Sequence, residues 1–343
     1  MREDTAEQLV ALESIDVVRA WHQRITAREL NLRRANEIAS SARQAREYLR
    51  NAANAAYSVR PLLTYYANAS LSRAVVLLLR RNGGEETLAR GHGLETVNWA
   101  EGLRADVGRA LAALATLRVR SRPGLFRDLI GETQNISRMH VRSSDVDWTL
   151  PYPLPPEVFE LAFADIASRL PDLTPPPHAA VMNVQFARVN QMTFAQEPGF
   201  AAQVQAEAFR PFQDGYVGSG YEVRENRGAY LDLRCPAATF ENALPQLTHS
   251  YVRKLFGSIP ELHLCPPFSD GVRLSQIALT FILSFFLGML TRYFPTHWIA
   301  VQSGAKGDAV WPTLFSAQRY VESAYPELLL EFINYKVAHG DDA

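Results

Sequence analysis

Cysteine is nearly missing from this chain: Cys235 and Cys265 are the only two in 343 residues, with no CxxC pair and no histidines spaced for a tetrahedral site. That pattern excludes a disulfide scaffold and a structural zinc finger. GxxxxGK[ST], HExxH and GxSxG are all absent, and Gly218-x-Gly220 lacks a third glycine. Walker-type, zincin, hydrolase-elbow and dinucleotide-fold chemistry therefore have no motif behind them, and neither a cofactor nor a metal is expected. Apolar runs are short as well. Ile277–Leu290 is uncharged but spans 14 residues between Arg273 and Arg292; a membrane span needs about 20, so a buried helix is expected and no membrane partner. The start, MREDTAEQ, is acidic where a signal peptide would be basic and then apolar, which leads to an expected cytoplasmic location.

Lysine is equally scarce, at Lys254, Lys306 and Lys336, so basic charge here means arginine. Residues 1–142 carry 22 arginines against 15 acids, net +7, and the remainder is net −8. A basic half fits RNA as a partner. A set of helix faces whose arginines are solvated or paired with acids is the favoured reading, because no single dense basic cluster stands out.

Apolar periodicity predicts helices over about 6–35, 41–60, 61–82 and 99–117, with Pro61 at a helix start and Gly83-Gly84 at an end. Ala45, Leu49, Ala52, Ala53 and Ala56 make a narrow small-residue stripe, against which a neighbouring helix can come close. On the next helix, Thr64, Asn68 and Ser72 form a mild polar stripe. Proline-rich connections at 148–156 and 171–178 flank one helix at about 157–169. His178–Phe194 alternates like a half-buried strand, with Met182, Val184 and Phe186 on one side. Tyr216–Val223 and Ala229–Cys235 read as a hairpin that buries Ala229, Leu231, Leu233 and Cys235. Helices return over about 270–293 and 312–336. The regions expected are helical at 1–147, a proline-rich connection with one helix at 148–178, a small antiparallel β insert at 179–265, and C-terminal helices at 266–343 that pack back on the first region.

Two blocks carry a resemblance. The first holds Ala45-Arg46 with Tyr48, then Arg60–Leu63, Tyr65–Ala67 and Gly91–Leu94. The second is an apolar helix running into Arg292, Tyr293, Pro295 and Trp298. Together with Gly124, Phe126 and Tyr325–Leu328, they resemble the YaaC-like bacterial family, whose biochemical function is not established. The first block also resembles HEPN domains. That resemblance implies a mainly α fold, a HEPN-like helical bundle with a small antiparallel β insert, α+β overall. It implies a homodimer through the bundle, or an unidentified protein partner, and a binding or regulatory role in settings such as stress response or phage defence.

Many HEPN proteins cleave RNA without a metal, through an arginine and a histidine four to six residues apart, and Arg292 and His297 have that spacing. His297 would act as general base or acid, and Arg292 would hold the scissile phosphate. The competing reading has Tyr293 and Trp298 packing a helix corner, with Arg292 capping the preceding helix. Arg90 and His92 form a second candidate, for ligand binding: glycines on either side of His92 let its imidazole approach a phosphate. Alternatively, Gly91 and Gly93 end a helix and His92 caps its carbonyls.

Overall fold

The computed structural model describes residues 3–104, 113–140, 147–173, 184–195, 199–218, 220–226, 228–238, 249–253, 261–305 and 310–340. Met182, in the expected strand, lies outside them. The chain is mixed α+β, mainly helical, with antiparallel sheets, and it divides into two units. A helical unit is drawn from residues 1–135, 156–164 and 276–343, and a sheet-bearing unit from 136–155 and 165–275.

In the helical unit, the expected helix over 6–35 is broken. After a short helical start, α1 (Ile15–Thr26) ends where Ala27 turns left-handed at φ 54°. α2 (Leu32–Asn54) then begins with Asn31 accepting a hydrogen bond from the Arg34 backbone N–H at 2.9 Å. α3 (Arg60–Leu79) packs along α2 and carries Pro61 in its first turn, where no donor is needed. It stops four residues before Gly83. The buried Arg34 guanidinium reaches across from α2 and takes the carbonyls of Leu77, Arg80 and Arg81, so a side chain from the neighbouring helix satisfies the α3 terminus.

The mild polar stripe of α3 turns inward. Thr64, Asn68 and Ser72 are all fully buried. They bond to Gln318, Ser284 and Tyr325 on two later helices, α5 (Gln276–Tyr293) and α7 (Trp311–His339). Between α5 and α7 lies the short α6 (Pro295–Gln302). α3 and α5 come very close at Gly288, where a Cβ would lie 2.7 Å from the Tyr65 Cβ. Both helices are long and apolar enough to cross a membrane by length and composition alone, yet 72% and 89% of the apolar stretch is buried within the structure.

A three-stranded sheet completes this unit, in the order β1 (His92–Val97), β2 (Arg118–Gly124), β5 (Glu160–Ala162), and it runs into helix α4 (Leu125–Glu132). The helix expected over 157–169 is thus a strand followed by one turn, Phe163–Ala167; Phe163 is buried and stacks on Phe286 at 4.8 Å. Of the helix expected over 99–117, residues 105–112 lie outside the described residues; those described form the turn Trp99–Gly102 and the 3-10 turn Leu114–Thr116.

The second unit holds a six-stranded antiparallel sheet, ordered β10 (Ser250–Arg253), β11 (Glu261–Leu264), β6 (Ala187–Ala195), β7 (Gly199–Gln205), β9 (Tyr230–Cys235), β8 (Glu222–Glu225), and a β3 (Ile136–His140)–β4 (Asp147–Pro151) pair. Leu231, Leu233 and Cys235 share the buried face of β9, as alternation requires, whereas Ala229, expected with them, precedes the strand and is exposed. Tyr216 sits in a helical turn, Gln213–Val217, so that arm of the expected hairpin shortens to β8. Its buried ring packs on Phe209 and Tyr221. The expected strand over 178–194 begins, as described, at Ala187; Val184 is exposed and Phe186 is buried.

Candidate functional site

The residues of the first sequence block converge in the helical unit. Gln44 and Tyr48 from α2, with Tyr66, Ser70 and Arg73 from α3, face His92 at the head of β1 across a cleft of about 260 Å³. Helical spacing accounts for one wall: Tyr66, Ser70 and Arg73 recur at i, i+4 and i+7 on a single face of α3. Two glycines account for the other. Gly93 and Gly124 lie where β1 crosses β2, both at positive φ, and a Cβ on Gly124 would overlap the Gly93 backbone. The expected helix-ending turn at Gly91–Gly93 is instead this bulged strand start, which holds His92 opposite Gly124.

Within the cleft, Tyr48 and Tyr66 stack at 5.7 Å, and Ser70 donates to the Gln44 side chain at 2.9 Å. His92 lies edge-on to the buried Tyr65 ring at 5.3 Å. No described residue hydrogen-bonds either of its ring nitrogens, so the carbonyl-capping reading does not hold. Burial, with Arg292 adding like charge, lowers the His92 pKa below its ordinary value, and the imidazole is neutral at neutral pH.

Arg292, in the last turn of α5, therefore joins His92 from far along the chain. Its guanidinium donates to the Tyr66 hydroxyl at 2.9 Å and lies 5.0 Å over the Tyr293 ring. It does not cap its own helix. His297 stands apart, in the first turn of α6 beside Phe294. Both of its ring nitrogens are buried without a hydrogen-bond partner, so no bond links it to Arg292 and neither nitrogen is open to a substrate in this conformation. Trp298 is fully buried and donates to the Tyr57 carbonyl at 2.8 Å, as a corner-packing residue should, whereas Tyr293 is 58% exposed.

Many arginines of the helical unit are held in ion pairs. Arg46 pairs with Glu13, Arg80 with Asp128 and Glu132, and Arg120 with Glu95 and Glu160. Among the described residues Arg73 and Arg292 have no carboxylate partner, nor does the exposed Arg90, between the cleft-lining Ala89 and Gly91; Arg24 and Arg319, elsewhere in the unit, share that state. Among the described residues no group of three or more His, Cys, Asp or Glu side chains is placed to hold a metal ion. Cys235 and Cys265 are buried, and burial pushes both thiols up, away from reactivity.

A family model described as YaaC-like Protein matches residues 11–333. The chain belongs to the YaaC-like family. No curated protein and no solved structure matches it. In this YaaC-like protein three of the residues that carry the resemblance, Tyr48, Tyr66 and His92, line the cleft, and a fourth, Arg292, bonds Tyr66. Arg73 and Gln44 escaped the sequence reading. Their signal was a second polar line on α3 and α2, opposite the one that drew notice.

Proposed function

We propose that this YaaC-like protein is a binding protein whose helical unit holds an anionic ligand in the cleft between α2, α3 and β1. One observation carries the reading: among the described residues, Arg73, which lines the cleft with His92, and Arg292, which bonds the cleft-lining Tyr66, have no carboxylate to neutralise them. Unpaired guanidinium groups beside a cleft attract phosphate or carboxylate and can hold it through two hydrogen bonds. The HEPN-like reading of the unit rests on the small-residue face of α2, where Ala45 and Ala52 are buried along α3.

The test is calorimetric titration with inorganic phosphate at fixed ionic strength. Saturable binding by the wild type, weakened at least tenfold by Arg73→Ala and by Arg292→Ala, supports the reading. Absence of binding by the wild type overturns it.

A second reading is favoured by the neutral imidazole of His92 beside Arg292. It is a metal-independent ribonuclease in which His92 takes the proton of the ribose 2′-hydroxyl and the 2′-oxygen bonds to phosphorus as the phosphorus–5′-oxygen bond breaks. The departing oxygen takes a proton from water to leave a 2′,3′-cyclic phosphate, and Arg292 stabilises the charge that develops on the phosphorus oxygens. Here the arginine acts with His92, which replaces His297. Incubation with tRNA in EDTA decides it: cleavage lost in His92→Ala and retained in His297→Ala supports this chemistry. Uncut RNA leaves the binding role.

A further inference from the structure

His92 walls a second cleft, of about 420 Å³, lined by Trp99, Phe285, Met289, Tyr293 and Phe294 and, on its β1 side, by Thr96 and by Glu95, whose carboxylate is paired with Arg120 and Arg122. This cleft is apolar where the first is polar. Trp99 is fixed, 1% exposed with its indole N–H donated to the Arg118 carbonyl at 2.6 Å. Tyr293 is the opposite, a large exposed ring at the mouth of an aromatic hollow. Arg292 lies over that ring while bonding Tyr66, which lines the polar cleft. Arg292 and His92 thus both stand on the divide between the two hollows.

We propose that the two clefts are halves of one site, and that its ligand is a planar aromatic group bearing a phosphate or carboxylate. This rests on the anion reading above and extends it to a ligand class. The anion sits against Arg73, Arg292 and His92, and the ring enters the apolar cleft. The wall chemistry favours a ring over an alkyl chain. The exposed Tyr293 ring and the half-buried Phe294 ring offer faces and edges for stacked or edge-on packing, above a floor formed by the buried Trp99, Phe285 and Met289 side chains. The size agrees too, since sites for small organic ligands run from about 300 to 1,000 Å³ and are mostly apolar with a few convergent polar groups.

The test uses the full chain and four probes: inorganic phosphate, phenyl phosphate, hexyl phosphate and benzoate, with adenosine monophosphate as a fifth. Phenyl phosphate should bind about tenfold more tightly than phosphate, and hexyl phosphate should gain much less. Ala100→Trp, which fills the apolar cleft from the short Trp99–Gly102 helix, should erase that gain and leave phosphate binding as it was; Tyr293→Ala should reduce it. Phosphate binding with no gain from the ring overturns this inference and leaves the anion reading standing, as does an equal gain from the hexyl chain. No binding of phosphate, phenyl phosphate or benzoate overturns both. If the inference holds, adenosine monophosphate binding more tightly than phenyl phosphate identifies a nucleotide as the source, and benzoate matching phenyl phosphate identifies an aromatic acid.

Discussion

His249 shows how much one side chain can cost when it is sealed in. It is 1% exposed, bonded to the Pro266 carbonyl and the Tyr251 hydroxyl, and ringed by Tyr152 and Phe268. Burial, reinforced by the Arg169 and Arg273 charges, pushes its pKa down to about 3. The unfolded chain accepts that proton near pH 6.5 and the folded one refuses it. Stability is therefore full above pH 6.5 and falls as the pH drops toward 3, by up to about 1.4 kcal/mol per unit from this group. Urea denaturation between pH 7 and 4.5 should show a shallower pH dependence in His249→Phe, even though the variant starts less stable at pH 7. An unchanged slope would mean that the histidine is not sealed. Nothing in the sequence marked His249 for this role, because a histidine's tasks depend on what surrounds it in space. His92 was legible since its glycine neighbours announced an unusual backbone. The Arg292–His297 spacing, by contrast, satisfied a pattern along the chain while Pro295 started a new helix between them and turned the two side chains to different surroundings.

At the level of elements, the α3–α5 and α3–α7 seams decide the packing of the helical unit. Gly288→Ala places a Cβ against the Tyr65 side chain at the closest point of α3 and α5, and overpacking of this kind costs about 1–3 kcal/mol. Thermal unfolding should register it as a lowered Tm with the far-ultraviolet signal unchanged at 20 °C. The buried Asn68–Ser284 hydrogen bond, 2.9 Å long, belongs to the same seam. Asn68→Ala should cost about 1–3 kcal/mol, and a double-mutant cycle with Ser284→Ala should return a coupling of about 0.5–1.5 kcal/mol. Zero coupling would mean that the two helices do not meet there. Helix existence was legible from the 3.6-residue period, and Pro61 marked the α3 start. The fate of its polar stripe was not. Thr64, Asn68 and Ser72 give the same pattern whether the stripe meets water or the hydroxyls and amides of two other helices. The strand at Glu160–Ala162 was also hidden, because three residues are too few to establish alternation and the pairing with β2 supplies their order.

For the molecule as a whole, the helical unit is not contiguous: its N-terminal helices share a core with residues beyond 276. α7 contributes Tyr320, Tyr325, Leu329 and Phe332, all fully buried, to that core. A chain ending before Trp311 should therefore lose the cooperative thermal transition of the helical unit, α1–α3 included; calorimetry on the truncated protein checks this, and an intact transition would show that α7 is dispensable. The paired sequence blocks at 45–94 and 292–298 pointed to this arrangement, since they carry one resemblance from opposite ends. The order of the six-stranded sheet was out of reach, because β10 and β11 precede β6 across it and register between distant strands leaves no local trace. The split unit also matters during synthesis. A ribosome adds roughly 5–20 residues per second, so about 7 to 28 s pass between the emergence of residue 135 and that of residue 276. Through that interval the apolar faces of α2 and α3 wait for partners not yet made, and a nascent chain in that state is a natural client for a holding chaperone.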